Sequence, residues 1–257
     1  MTESIVVDNV TKNFTMRYHR TLKQMAVASV RGQQISDTFR ALDGVSFTVE
    51  QGESIGLMGL NGSGKSTLLK LINGVMRPDA GQVLTRGRIA GLIATGAGFH
   101  QQLSGRDNIY LNAAILGMTE AETRRKFDDI VEFADIGRFL DTPVAAYSSG
   151  MSARLGFAVA IHVDSHIFLA DEVLAVGDRP FKRKCMERMQ QIRKEGRTLF
   201  YVSHAPGSVR KMCDRVIVLE KGRVGFDGGV NEGIQYLKYD ADAPGDEPND
   251  DDLGADI

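Results

Sequence analysis

The stretch Gly59-Leu-Asn-Gly-Ser-Gly-Lys65-Ser66-Thr67 sets three glycines, a lysine and three hydroxyls at a spacing that can hold a polyphosphate. It fits the pattern GxxxxGK followed by Ser or Thr. Gly59, Gly62 and Gly64 permit a tight turn whose backbone N–H groups aim at phosphate oxygens, with Asn61 and Ser63 between them. Lys65 is a mobile charge that can reach β- and γ-phosphates, and Ser66, beside Thr67, can offer its hydroxyl to Mg²⁺. A chance glycine-rich turn would lack the flanks found here. The apolar run Ser54–Met58 reads as a buried strand, and Ser66–Asn73 reads as a helix closing at Gly74. Such a helix points its positive end at the phosphates.

A second constellation lies downstream. Ile167-Phe-Leu-Ala-Asp171-Glu172 is an apolar strand ending in two carboxylates. By itself such a pair is commonly a solvated turn. Following a phosphate loop, it gains a reaction: Asp171 can hold Mg²⁺ through water, and Glu172 can polarise an attacking water as general base. General-base catalysis is typically worth about 10²–10⁴ in rate.

These groups need a frame, and the sequence predicts an α/β one. Ser54–Met58, Ile167–Ala170, Leu199–Val202 and Val216–Leu219 read as buried strands of a largely parallel sheet. Two earlier strands are expected at Ile5–Val10 and Val45–Val49. Thr119 and Glu122 have capping-box spacing ahead of Phe127, Ile130, Val131 and Ala134. Pro180 suits a first helical position, and Phe181, Cys185, Met189 and Ile192 make a stripe that stops at Gly196. Strands alternating with helices argue for a wound α/β core.

Bulk properties exclude more than they assign. The chain has 257 residues, with 31 basic and 33 acidic residues and a net charge of −2, so no bulk pull toward nucleic acid is expected. Cys185 and Cys213 belong to no CxxC pair and read as reduced, buried residues of a cytoplasmic protein. The start MTESIVVDNV lacks a secretory pattern, and no window approaches the apolar length of a membrane span. Charge is placed unevenly. Residues 15–40 read as a basic insertion, carrying Arg17, Arg20, Lys23, Arg31 and Arg40 against Asp37 alone. Within it Leu22, Met25, Ala26 and Val30 have the spacing of a short amphipathic helix, suited to anionic headgroups or a diphosphate. Residues 241–257 read as an acidic, disordered tail.

Between the two constellations, Tyr147-Ser148-Ser149-Gly150-Met151 opens a helix through Ala153, Leu155, Phe157 and Ala158. It resembles the ABC (ATP-binding cassette) signature motif, and its order relative to the phosphate loop and Asp171-Glu172 is that of an ABC ATPase. The resemblance covers about residues 4–240. It implies an ABC-type P-loop ATPase with a mainly parallel core sheet, an antiparallel β subdomain and a helical signature subdomain at about 92–160, all within a cassette of residues 1–240. It implies ATP and Mg²⁺ as ligands, with Ser148, Ser149 and Gly150 facing nucleotide held by a second copy. Asp178 resembles the D-loop aspartate at the dimer interface, His204 the switch histidine at the γ-phosphate, and Phe14 the aromatic that stacks on adenine. Read without the resemblance, Phe14 is equally well a core residue.

YSSGM, DEVLAVGD and GAGFHQQLSGRDNIYLN are similar to ATPase subunits of polysaccharide exporters for O-antigen, capsule, teichoic acid and lipid-linked galactan. That implies a homodimer, a separate integral-membrane permease, a polyprenyl-linked glycan as cargo, and a cytoplasmic location peripheral to the inner face of the plasma membrane. Permease contacts are expected at about residues 92–140. The family's Q-loop glutamine is missing: Ala94 and Thr95 stand nearest its place, with Gln101 and Gln102 displaced. The alternative is a soluble ABC ATPase without a transporter, although the fused cassettes or long coiled coil usual there are absent. A nucleotide-regulated binding module without turnover would have no use for Glu172 and His204.

Overall fold

The computed structural model describes residues 2–17, 36–91, 98–171 and 178–237. Glu172, Ala94, Thr95, most of the basic insertion and the acidic tail lie outside them. The chain opens with β1 (Glu3–Arg17) and β2 (Ser36–Glu50), a long antiparallel pair. β3 (Ser54–Met58) follows, then the phosphate loop and α1 (Lys65–Ile72). β4 (Ala80–Thr85) and β5 (Ile89–Gly91) lead to three helices: α2 (Gly105–Ile115), α3 (Glu120–Ala134) and α4 (Ser149–Ile161). β6 (Ile167–Ala170), α5 (Arg179–Lys194), β7 (Thr198–Val202) and α6 (Pro206–Met212) continue the winding. β8 (Arg215–Glu220), β9 (Arg223–Gly229) and α7 (Val230–Tyr236) complete it.

Two sheets result. The larger has the order β5-β6-β7-β3-β8-β9 and is parallel except for β9; the smaller is antiparallel, β2-β1-β4. The apolar runs are continuous because the large sheet is covered on both faces. Side chains alternate between two cores. Met58, Phe168, Ala170, Leu199, Tyr201, Val216 and Val218 face the helices. Ile55, Leu57, Ile167, Leu169, Phe200, Ile217 and Leu219 face α1 and the antiparallel sheet.

Helix ends follow the expected chemistry. Thr119 and Glu122 form a reciprocal capping box, Asp178 caps α5 ahead of Pro180, and Gly196 takes φ +76. Cys185 and Cys213 are buried thiols, pushed by desolvation up to about 12, which makes them unreactive core residues near neutral pH. The first hairpin departs from expectation. β1 and β2 run well beyond Ile5–Val10 and Val45–Val49, because Thr15 pairs with Thr38 and Met16 with Asp37, so both ends of the basic segment belong to the ladder. β-Branched and aromatic residues extend a strand readily, and the charge pattern masked that tendency. The amphipathic helix expected around Leu22–Val30 lies outside the described residues.

Candidate functional site

The strand order places the chemistry. β6, β7 and β3 are consecutive neighbours, and their register aligns Ala170 with Tyr201 and Leu57 with Val202. Asp171, His204 and Gly59 therefore all leave the carboxyl edge of the same sheet. Two strand spacings, each about 4.8 Å, separate β6 from β3, so Asp171 leaves the sheet two strands away from the phosphate loop. Ligands of open α/β sheets bind along this edge. Asp171 and His204 are each half-buried there, and Ser203 accepts the Ala205 N–H at 3.1 Å, turning the chain after β7.

The loop is held by backbone. Gly59 has φ +141 and Gly64 has φ +108, conformations that L side chains rarely adopt. A β-carbon at Gly59 would collide with the Leu219 carbonyl, and one at Gly64 would lie 2.7 Å from the Ala41 carbonyl. Ser63 accepts the Gly222 N–H at 3.0 Å through its carbonyl, while Asp43 N–H donates to Gly222 O at 2.8 Å. The turn between β8 and β9 and the inner part of β2 thus form the floor of the loop.

Inside the loop, three features suit an anion. Lys65 is 7% exposed, and its Nζ donates to Gly59 O at 2.7 Å and Leu60 O at 3.0 Å. The Ser63 hydroxyl is buried without a hydrogen-bond partner among the described residues. α1 starts at Gly64 with no side-chain cap, so its first-turn N–H groups are not satisfied by a capping side chain. Asn61 and Ser66 are exposed beside it and Thr67 is half-buried.

The signature segment is built differently. Ser148 caps α4, its hydroxyl accepting Met151 N–H at 3.1 Å, which leaves the exposed Ser149 and half-buried Gly150 at the helix tip. Tyr147 donates to Phe139 O at 2.7 Å, and burial pushes its phenol up. Asp178 accepts Phe181 N–H at 3.3 Å and Arg154 Nη2 at 2.7 Å. Desolvation works to raise its pKa, but these donors outweigh it and hold the carboxyl below the usual range.

Phe14 is 37% exposed on β1, opposite Phe39 of β2 at 50%; it is not a core residue. Lys12 Nζ lies 5.9 Å from its ring centroid. Three contributors escaped the sequence reading. Asn108 is fully buried and satisfied, its amide donating to His100 O, Leu103 O and Ser104 O while Oδ1 accepts His100 N–H. Arg154 links the signature helix to Asp178. Phe39 gives the Phe14 strand pair a second exposed ring. Only Asn108 carried a signal, a polar residue between the apolar positions of a helix.

Comparison with known proteins decides the family. The model of the family described as "ABC transporter" matches residues 42–175, just over half of the chain and inclusive of the phosphate loop, signature segment and Asp171. The chain belongs to the ABC transporter family. It is an ATPase of that family, on a fold that binds nucleotide. An O-antigen export system ATP-binding protein RfbB of Klebsiella pneumoniae is 41% identical over 234 residues, covering 90% of this chain and 95% of that protein. A teichoic acids export ATP-binding protein TagH of Bacillus cereus is 40% identical over 231 residues, covering 86% of this chain and 42% of that longer protein. Among solved structures, the ATP-binding cassette MJ0796, a dimer in a post-hydrolysis state bound to ADP and phosphate, superposes with a TM-score of 0.70 at 22% identity. That match covers 88% of this chain and 98% of that one, and it establishes the ABC cassette fold. Among the described residues, no helix is long and apolar enough to cross a membrane.

Proposed function

We propose that this ABC ATPase powers export of a lipid-linked cell-surface polysaccharide through a separate membrane permease. Residues 1–240 act as one cassette, residues 92–160 as its helical signature subdomain, and residues 241–257 as an acidic tail. The observation carrying the hydrolytic part is the shared sheet edge of Gly59–Thr67, Asp171 and His204. Near full-length similarity to an O-antigen export protein supports the choice of cargo.

In this reading the Gly59–Thr67 backbone and Lys65 hold the triphosphate, and Phe14 stacks on the adenine. His204 contacts the γ-phosphate, and Glu172 takes the proton of the attacking water. The donor set at Ser66 and Asp171 is all oxygen, exposed on one side and half-buried on the other, which fits Mg²⁺. A Mg²⁺ held by Ser66 and Asp171 would supply charge that neutralises the bound triphosphate. Ser148, Ser149, Gly150 and Asp178 complete the site of a second copy, so two chains enclose two nucleotides with C₂ symmetry. The dimer sits at the inner face of the membrane through the permease, whose cargo is polyprenyl-linked.

The test is reconstitution of the chain with its permease in proteoliposomes. Polyprenyl-diphosphate-linked glycan should stimulate ATP hydrolysis, and the unlinked glycan should not. Equal rates with and without the lipid-linked substrate, in a complex that hydrolyses ATP, would remove the export reading while leaving the ATPase intact.

A further inference from the structure

The helical side of the molecule contains an aromatic triad with a cation over it. Phe133 of α3, Phe157 of α4 and Phe181 of α5 meet with ring centroids 5.7–6.1 Å apart. Three helices are pinned at one point. Arg154, on α4 one turn beyond the signature tip, lays its guanidinium 5.1 Å from the centroid of Phe181. From there Nη2 donates to Asp178 Oδ1 at 2.7 Å, and Nη1 reaches Asp135 Oδ2 at 3.4 Å, at the left-handed end of α3. Its side chain is only 20% exposed, whereas Asp178 and Asp135 are 56% and 81% exposed. The cation is therefore held by packing, and the two carboxylates come to it.

This placement has a mechanical meaning. Asp178 caps α5 and, in the function proposed above, helps complete the nucleotide site of a second copy. Arg154 ties that residue to the helix whose tip carries Ser149 and Gly150. A planar guanidinium stacked on a ring and hydrogen-bonded at its edge has one orientation available, unlike an ammonium on a flexible stem. Displacement of the signature tip must therefore move Asp178, or break the 2.7 Å bond.

We propose that Arg154 is a positioning residue for hydrolysis, one that holds Asp178 in register with the signature tip so that both meet the second copy's nucleotide together. It touches neither nucleotide nor water; it acts through Asp178. The inference rests on the reading that Ser149 and Gly150 meet nucleotide bound to a second copy.

The experiment compares Arg154→Ala, Arg154→Lys, Asp178→Asn and Asp135→Asn in the full chain. Readouts are kcat, KM, the Hill coefficient for ATP and thermal stability. Arg154→Ala should lower kcat about tenfold with KM nearly unchanged, and the Hill coefficient should fall toward one. Adding Arg154→Ala to Asp178→Asn should cost nothing further, because Arg154 acts through Asp178. Asp135→Asn should leave kcat unchanged, and Arg154→Lys should recover part of it. A lower melting temperature with kcat and Hill coefficient intact would make Arg154 a packing residue and overturn the proposal. Should Arg154→Ala not fold, additive losses in the Arg154→Lys and Asp178→Asn pair would overturn it equally. ATP-driven dimerisation of the wild-type chain is measured alongside; its absence would sink the underlying site reading instead, and this proposal with it.

Discussion

The phosphate loop and the signature tip are both short runs of serine and glycine that open a helix, yet the protein builds them in opposite ways. The phosphate loop is enclosed. Its glycines are forced into left-handed backbone, its floor comes from β2 and the β8–β9 turn, and its lysine is 7% exposed. Its helix starts without a side-chain cap. The signature tip is open. Ser148 spends its hydroxyl on the cap of α4, and Ser149 faces solvent. A surface that must bind a triphosphate unaided needs walls on several sides. A surface that needs only to close another molecule's site needs one well-aimed helix end.

The largest effects should fall on the enclosed side. Lys65→Ala should abolish measurable ATP binding in equilibrium titration, whereas Glu172→Gln should keep binding and lose about 10²–10⁴ of the turnover. Unchanged hydrolysis in Glu172→Gln would take that residue out of the general-base role. On the open side, Ser149→Arg should leave nucleotide affinity of the isolated chain within about twofold, while light scattering in Mg-ATP shows loss of the dimer that Glu172→Gln otherwise traps. If Ser149→Arg weakens binding by the monomer, the two regions serve one nucleotide and the contrast drawn above collapses. The smallest effect concerns the cap itself. Ser148→Ala should cost about 0.5–2 kcal/mol of stability in denaturant unfolding, with Mg-ATP binding by the monomer unaffected.

The parts of the site made by contiguous residues were legible in the sequence. Gly59–Thr67 announces its loop because turn, charge and hydroxyl must follow one another within a few residues, and the capping box at Thr119 and Glu122 is equally local. Strand interiors were legible because both faces are buried, giving unbroken apolar runs such as Ile167–Ala170. What escaped depends on pairing at a distance. The extension of β1 to Arg17 is decided by its partner Ser36, across a segment whose basic charge dominated the local pattern. Arg154 looks like any helix cation until Phe181 and Asp178 are brought beneath it. Phe14 was open between core and surface because a single aromatic carries no information about what covers it. Its exposure was settled by the hairpin it stands on.

Part of the floor of the phosphate loop comes from much later in the sequence, where Leu219 and Gly222 close beneath Gly59 and Ser63. During synthesis the glycine turn, the lysine and α1 all emerge long before β8 and β9 exist. Until that strand pair is made, residues 59–64 have only β2 to rest on, and joining ends so distant in sequence carries the full entropy of closing the intervening chain. Nucleotide is therefore a weak folding template before β8 and β9 have emerged. It becomes a stabilising ligand once that strand pair has closed the loop, and a nascent cassette must reach that point without its help.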